Sequence, residues 1–200
     1  MVTYEIETEL KAQGYTLICG VDEAGRGPLA GPVYAGAVIL PAGMEDIGIN
    51  DSKKLSEKKR EILYDKIIDS ASAWGIGSAS EQEIDEINIL NAAMLAMRRA
   101  IESMAIRPDF VLADGNRKPG SPYPEMTVVK GDAKSISIAA ASILAKVSRD
   151  RYMISLSEQY PEFQFDKHKG YPTALHYEMI KQYGILPVHR RSFLKTLDKH

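Results

Sequence analysis

Residues 19–33, CGVDEAGRGPLAGPV, set two adjacent acids at the point where an apolar run breaks into glycine. Residues 15–21, YTLICGV, carry no charge, as expected of a buried strand. Asp22 and Glu23 end that run. Neighbouring side chains on a regular strand point to opposite faces, so both carboxylates address one site only where the strand twists, bulges or stops. Gly25 and Gly27 permit this. Beyond Gly31-Pro32, residues 33–40 read as a second strand that Pro41 closes. The expectation is a hairpin with acids at its mouth.

Two ordinary readings compete. An Asp-Glu dipeptide is usually solvated. Acids wedged between an apolar strand and a Gly-Arg-Gly turn, however, are costly to desolvate without a cation or many donors. Residues 25–30, GRGPLA, also fit a relaxed dinucleotide-binding fingerprint. That fingerprint must open a helix that receives pyrophosphate. Here a strand follows, Pro28 intervenes and two negative charges stand in front, so the reading fails.

At 200 residues and 22.1 kDa the chain is expected to form one domain, 1–200, with a helical carboxyl-terminal segment from about residue 172. Neither a secretory signal nor a transit peptide is expected from the acidic first ten residues, and no apolar run approaches membrane-spanning length. One cysteine, Cys19, allows no internal disulfide and no zinc site of its own; it is expected in the core of the first strand. The expected compartment is the cytoplasm and the expected state a monomer. The net charge of −2 conceals an asymmetry: up to Asn116 there are 11 basic and 19 acidic residues, and from Arg117 onward 14 and 8. The later part is the candidate phosphate-facing side.

Ser56 is an N-cap candidate for a helix with Ile62, Leu63, Ile67 and Ile68 as its buried stripe. Residues 73–78 form a weaker strand. Ser80 and Glu83 make a capping-box pattern opening a long helix through Met104, with Ile84, Ile87, Leu90, Met94, Met97 and Ile101 as its core stripe. Residues 109–113 and 126–129 are further strands, followed by Asp114-Gly115 and Lys130-Gly131-Asp132. Carboxylates beside glycines at several strand ends suit a metal-binding site at one edge of a mixed sheet. The Ala- and Ser-rich run from Ser135 suits a helix packed closely on that sheet and ending near Tyr160. Its Ser137, Ser142 and Ser148 have no partner base at recognisable spacing. Thr173 can cap a last helix over 174–183.

These motifs, taken together and in order, resemble bacterial ribonuclease HII: VDEAGRGPLAGPV at 21–33, DSKKL at 51–55, Asp114-Gly115, Lys130-Gly131-Asp132, SIAAASI at 137–143, Lys146-Val147 and HKGYPT at 168–173. The resemblance implies an α/β fold, a ribonuclease H-like mixed sheet flanked by helices. It implies endonucleolytic cutting of RNA paired to DNA, and cutting 5′ of single ribonucleotides in duplex DNA, leaving 5′-phosphate and 3′-hydroxyl ends. By the same resemblance Asp22, Glu23, Asp114 and Asp132 form a four-carboxylate site for Mg²⁺ or Mn²⁺, two ions per active site during catalysis. Such hard cations suit oxygen ligands, and a pair about 3.5 to 4 Å apart stabilises both attacking and leaving oxygens.

The resemblance also gives the Gly25-Arg26-Gly27 turn the reading of the 2′-hydroxyl, and gives Tyr171 a stacking place on the sugar beside the junction. Tyr171 has a plainer reading as a packing residue at a helix start. Lys53 is a substrate-binding candidate, and Lys54, Lys130, Lys134, Lys146 and Lys169 are further phosphate contacts to weigh. Two alternatives stay open: another metal-dependent nuclease on this fold, such as ribonuclease HIII, or a silent nucleic-acid-binding module. The lack of a long amino-terminal extension speaks against ribonuclease HIII.

Overall fold

A computed structural model describes residues 2–44, 48–49 and 55–194. Five strands, β1 (Ile18–Ala24), β2 (Val33–Ile39), β3 (Ala73–Ala79), β4 (Phe110–Asp114) and β5 (Glu125–Val128), form one sheet in the order β3-β2-β1-β4-β5. The first three strands run antiparallel in sequence, whereas β4 and β5 lie parallel to β1 on its other side. The sheet is therefore mixed.

Among the described residues six α-helices accompany it: α1 (Glu5–Ala12), α2 (Glu57–Ser70), α3 (Glu81–Glu102), α4 (Ile136–Gln159), α5 (Phe165–His168) and α6 (Ala174–Tyr183). Strand alternation sorts the core. Cys19, Val21, Val111 and Ala113 pack with Ala92, Ala93, Ala96 and Met97 of α3 on one face. Val38 packs with Leu63 and Ile67 of α2 and with Ala139, Ala140 and Ile143 of α4 on the other. Burial pushes the Cys19 thiol up to about 12, so it stays protonated.

Helix and sheet approach closely at Gly20, where a Cβ would come within 2.1 Å of the Ser137 carbonyl carbon. The α4 backbone thus rests almost directly on β1, the close approach expected from its small side chains. Ser135 caps α4 by accepting from the Ile138 N–H at 3.2 Å. Buried Glu7 accepts from Ser135 Oγ at 2.6 Å and from the Ser137 N–H at 3.0 Å. Helix α1, which supplies Glu7, has no counterpart in the sequence reading, because its few apolar residues hide among acids.

Two helical stripes need correction. Ile62 is 50% exposed, and Tyr64 takes the buried place beside Leu63 and Ile67. In α3 the capping box forms as expected, with Ser80 Oγ accepting from Glu83 N–H and Glu83 Oε2 from Ser80 N–H. The helix is not continuous, however: Asn88 has φ 66° and ψ 161°. Its Oδ1 accepts from the Leu90 and Asn91 N–H groups, both at 3.1 Å, and so caps a second segment. The kink resets the helical phase. Ile87, expected in the core, is exposed instead, and after the break Ala92, Ala93, Ala96 and Ala100 share the buried face with the expected Met97 and Ile101.

Beyond α4 a helical carboxyl-terminal segment folds back on the loop after β1. Leu29 and Ala30 of that loop share a core with Met153, Phe163, Phe165, Met179 and Ile180. Thr173 caps α6 by accepting from the His176 N–H at 3.2 Å. Among the described residues no helix is long and apolar enough to cross a membrane.

Candidate active site

Strand β1 outruns its parallel neighbour. Its pairing with β4 ends at Val21–Ala113, whereas its pairing with β2 continues through Ala24–Tyr34. Asp22 and Glu23 are therefore inside the strand and not at its end, but past the point where β4 covers that edge. The antiparallel register stays regular through them, so the bulge or strand end expected here is absent, and both acids nonetheless line one cleft. Asp22 stands one residue beyond Val21 and Asp114 one beyond Ala113, which puts the two carboxylates side by side on one face.

Asp132 arrives from a different element. Strand β5 stops at Val128, and Lys130 adopts a left-handed conformation, φ 57°, that opens the tight turn Gly131–Ala133. The Gly131 N–H donates to Asp114 Oδ1 at 2.6 Å, joining that turn to the end of β4. Asp22 and Asp132 are buried. A cleft of about 340 Å³ is lined by Asp22, Glu23, Gly25, Asp132, Lys146 and Tyr171, together with Arg60 and Ser142. All four acids thus converge at one mouth, three lining the cleft and Asp114 beside Asp22.

Their electrostatics follow from that crowding. Burial holds the Asp22 carboxyl well above the usual carboxylate range, and the charges of Glu23, Asp114 and Asp132 raise it further. The Glu23 carboxyl is also raised, mainly by burial, against the pull of Arg26, whose Nη1 lies 3.2 Å from Glu23 Oε1. Such a site favours a positive partner. As the side chains stand, no three His, Cys, Asp or Glu among the described residues are grouped to hold an ion.

The glycine turn and the tyrosine meet beside the acids. Gly25 has φ +98° and lies against Arg149, where a Cβ would fall 2.1 Å from Nε. Gly27 faces the Tyr171 ring, with Cε1 3.7 Å from where its Cβ would be. Tyr171 is 39% exposed, an uncovered aromatic at the rim. The Leu29 N–H donates to the Gly170 carbonyl at 2.7 Å, which ties the two loops together. Arg26 points outward to Glu23.

The family model described as Ribonuclease HII matches residues 19–196. The chain belongs to the ribonuclease HII family. The chain is 52% identical over 194 residues to Ribonuclease HII of Caldicellulosiruptor bescii, covering 97% of this chain and 94% of that protein. It is 58% identical over 178 residues to the Marinomonas protein of the same name, covering 88% and 89%. The crystal structure of the ribonuclease H2 from Pyrococcus horikoshii OT3 superposes with a TM-score of 0.76 at 34% identity, over 92% of this chain and 96% of that one. The protein is thus a ribonuclease H, a nuclease that hydrolyses nucleic acid, on the fold its motifs implied.

The lysine candidates separate. Lys146 lines the cleft and pairs with Asp150 at 2.7 Å. Lys130 and Lys134 are exposed beside Asp132. Lys169 is turned toward the Asp166 carbonyl of its own loop, which weakens its case as a phosphate contact. Lys53 and Lys54 lie outside the described residues. Three arginines at the site are absent from the sequence reading: Arg60 in the cleft wall, and Arg149 and Arg190 beneath the glycine turn. Nothing in the local sequence separates a buried arginine from a solvated one; Arg190 is buried whereas Arg191, its neighbour, is exposed.

Proposed function

We propose that this ribonuclease H cuts the RNA strand of RNA/DNA hybrids and cleaves 5′ of single ribonucleotides in duplex DNA, leaving 5′-phosphate and 3′-hydroxyl ends. The observation that carries the reading is the juxtaposition, at one cleft, of acids from two elements, and of Asp114 from a third beside Asp22, with a glycine turn and an exposed tyrosine. Hydrolysis and ribose recognition would then occur within one nucleotide of each other.

Asp22, Glu23, Asp114 and Asp132 would hold the divalent ions. Their all-oxygen donor set suits Mg²⁺ or Mn²⁺, and burial and mutual repulsion at Asp22 make a cation favourable there. When bound, those ions supply Lewis acidity for phosphodiester hydrolysis. The Gly25-Arg26-Gly27 backbone would approach the 2′-hydroxyl, which a side chain at either glycine would keep away. Tyr171 would stack on the neighbouring deoxyribose, and Lys146 and Arg60 would pair with backbone phosphates. The proposed working unit is a monomer acting in the cytoplasm.

The test is cleavage of three labelled duplexes (all DNA, DNA with one ribonucleotide, and an RNA/DNA hybrid) with Mg²⁺, with Mn²⁺ and with chelator. Metal-dependent cutting at the single ribonucleotide with a 3′-hydroxyl product is the expected result. Cutting of the hybrid alone would remove the junction reading, and cutting in chelator would remove the metal reading.

A further inference from the structure

The acids account for the chemistry and the glycine turn for recognition, but neither explains two arginines buried behind that turn. Arg149 on α4 and Arg190, just before the last short helical turn, are 1% and 0% exposed. Arg190 donates from Nη2 to the Gly25 carbonyl at 2.6 Å, from Nη1 to that of Arg26 at 3.1 Å, and from Nε to that of Gly31 at 2.9 Å. Arg149 donates from Nη2 to the Ala30 carbonyl at 3.1 Å, from Nε to that of Pro32 at 3.1 Å, and from Nη1 to that of Lys169 at 3.0 Å. Six carbonyls of the two loops that make the cleft mouth are thus held by two planar forks.

The geometry points to Arg149 and Arg190 as positioning residues for ribonucleotide selection: they fix the Gly25-Arg26-Gly27 backbone and the Tyr171 loop at one separation. This inference rests on the recognition role proposed above for that turn. Two desolvated like charges are a costly way to hold a loop, since neutral donors satisfy carbonyls without burying charge. Burial pulls the Arg190 guanidinium down to about 9, with Arg149 adding to the effect. Glu81, buried at the start of α3, is the acid whose charge both arginines feel. What guanidinium supplies and lysine does not is a rigid, multi-pronged geometry. A backbone that must approach a 2′-hydroxyl to within hydrogen-bond distance needs that rigidity, because a displacement of about 1 Å can cost a hundredfold in rate. The carboxyl-terminal segment thereby belongs to the substrate site through Arg190 as well as through Tyr171.

Arg190→Lys and Arg149→Lys keep the charge and remove the fork. Each should lower kcat/KM on the single-ribonucleotide duplex roughly ten- to a hundredfold, while affinity for the all-DNA duplex, which reads phosphates alone, stays within about twofold. Wild-type kcat/KM in both variants overturns the inference, as does a parallel loss of all-DNA binding. Gly27→Ala, which meets only ordinary contact with Tyr171, tests the turn itself. If it too leaves selection unchanged, the recognition reading has failed; if it alone impairs selection, the arginine clamp has failed. Should the lysine variants not fold, hydrogen exchange on the native protein decides. Leu29 and Gly31 amides protected as strongly as those of α4 support the clamp, and exchange by local opening overturns it.

Discussion

Asp22 and Asp114 occupy neighbouring places on parallel strands, one residue past the Val21–Ala113 pair and on the same face of the sheet. Their contact is built by register alone, and it brings two carboxylates together where burial already disfavours charge. Asp22→Asn should therefore separate function from stability. Cleavage is expected to fall by roughly a thousandfold or more, while the melting temperature in chelator rises, on the order of 1 kcal/mol in stability. Duplex binding should survive. Retained cleavage would remove Asp22 from the chemistry, and a lower melting temperature would contradict the repulsion.

Tyr171 is the second test, because packing and stacking predict opposite balances. Its ring is partly exposed, faces Gly27 and lies 5.8 Å from the Arg149 guanidinium. Tyr171→Ala should cost about 1 kcal/mol or less in stability. At a single ribonucleotide it should lose about 1–3 kcal/mol of stacking, ten- to a hundredfold in kcat/KM. Tyr171→Phe should restore most of that loss. A large drop in melting temperature with near-normal cleavage would return Tyr171 to a packing role.

Much of this site was legible in the chain, and the reason is physical. Caps, turns and breaks in an apolar run are local, so Asp22, Glu23, Asp114, Ser80, Thr173 and the small residues of α4 stand out from their neighbours in sequence, although Asp22 and Glu23 lie inside β1 and not at its end. What could not be read is set by partners far away. Ile62 and Ile87 look like core because periodicity assumes an unbroken helix in a known orientation, and Asn88 breaks one of them. Glu7 looks like a surface acid until Ser135 and Ser137, more than a hundred residues on, are placed against it. Arg149 and Arg190 are the same case, since a guanidinium's burial depends on which carbonyls surround it.

The third prediction concerns acid. His176 and His189 are buried, their Nε2 atoms 3.1 Å apart. His189 Nδ1 accepts from the Leu186 N–H at 2.9 Å, and His176 Nδ1 lies 3.0 Å from the Tyr171 carbonyl. One proton assignment satisfies all three contacts: His189 donates to His176, which donates to Tyr171, with both rings neutral. Burial accordingly pulls both imidazoles down to about 4. Above the unfolded value of about 6.5 neither state binds the protons, and stability is undiminished. Between about 6.5 and 4 the unfolded chain takes them up first, so stability falls as pH falls, by roughly 1.4 kcal/mol per pH unit for each histidine. Asp22 and Glu23, whose carboxyls are raised, act in the opposite sense, and Glu83, lowered to about 2, contributes its loss at lower pH. The difference between wild type and His176→Gln isolates the His176 share. Melting curves from pH 7 to pH 5 should be flatter in the variant; equal slopes would dismiss the neutral pair.

The last prediction returns to Asn88, where backbone and side chain make opposing demands. Its φ of 66° lies in the region that favours glycine, while its Oδ1 caps the second segment of α3 through the Leu90 and Asn91 N–H groups. Asn88→Gly relieves the backbone and loses the cap, so it should change stability by only a few tenths of a kcal/mol. Asn88→Val loses the cap and adds a β-branched side chain at positive φ, and about 2 kcal/mol or more of stability should go with it. Asn88→Asp keeps an acceptor at the positive end of a helix and should be close to neutral. Denaturant melts of the three variants order these terms directly. A valine variant as stable as wild type would mean that α3 can run straight through residue 88, with Ile87 then turning toward the core that the kink now denies it.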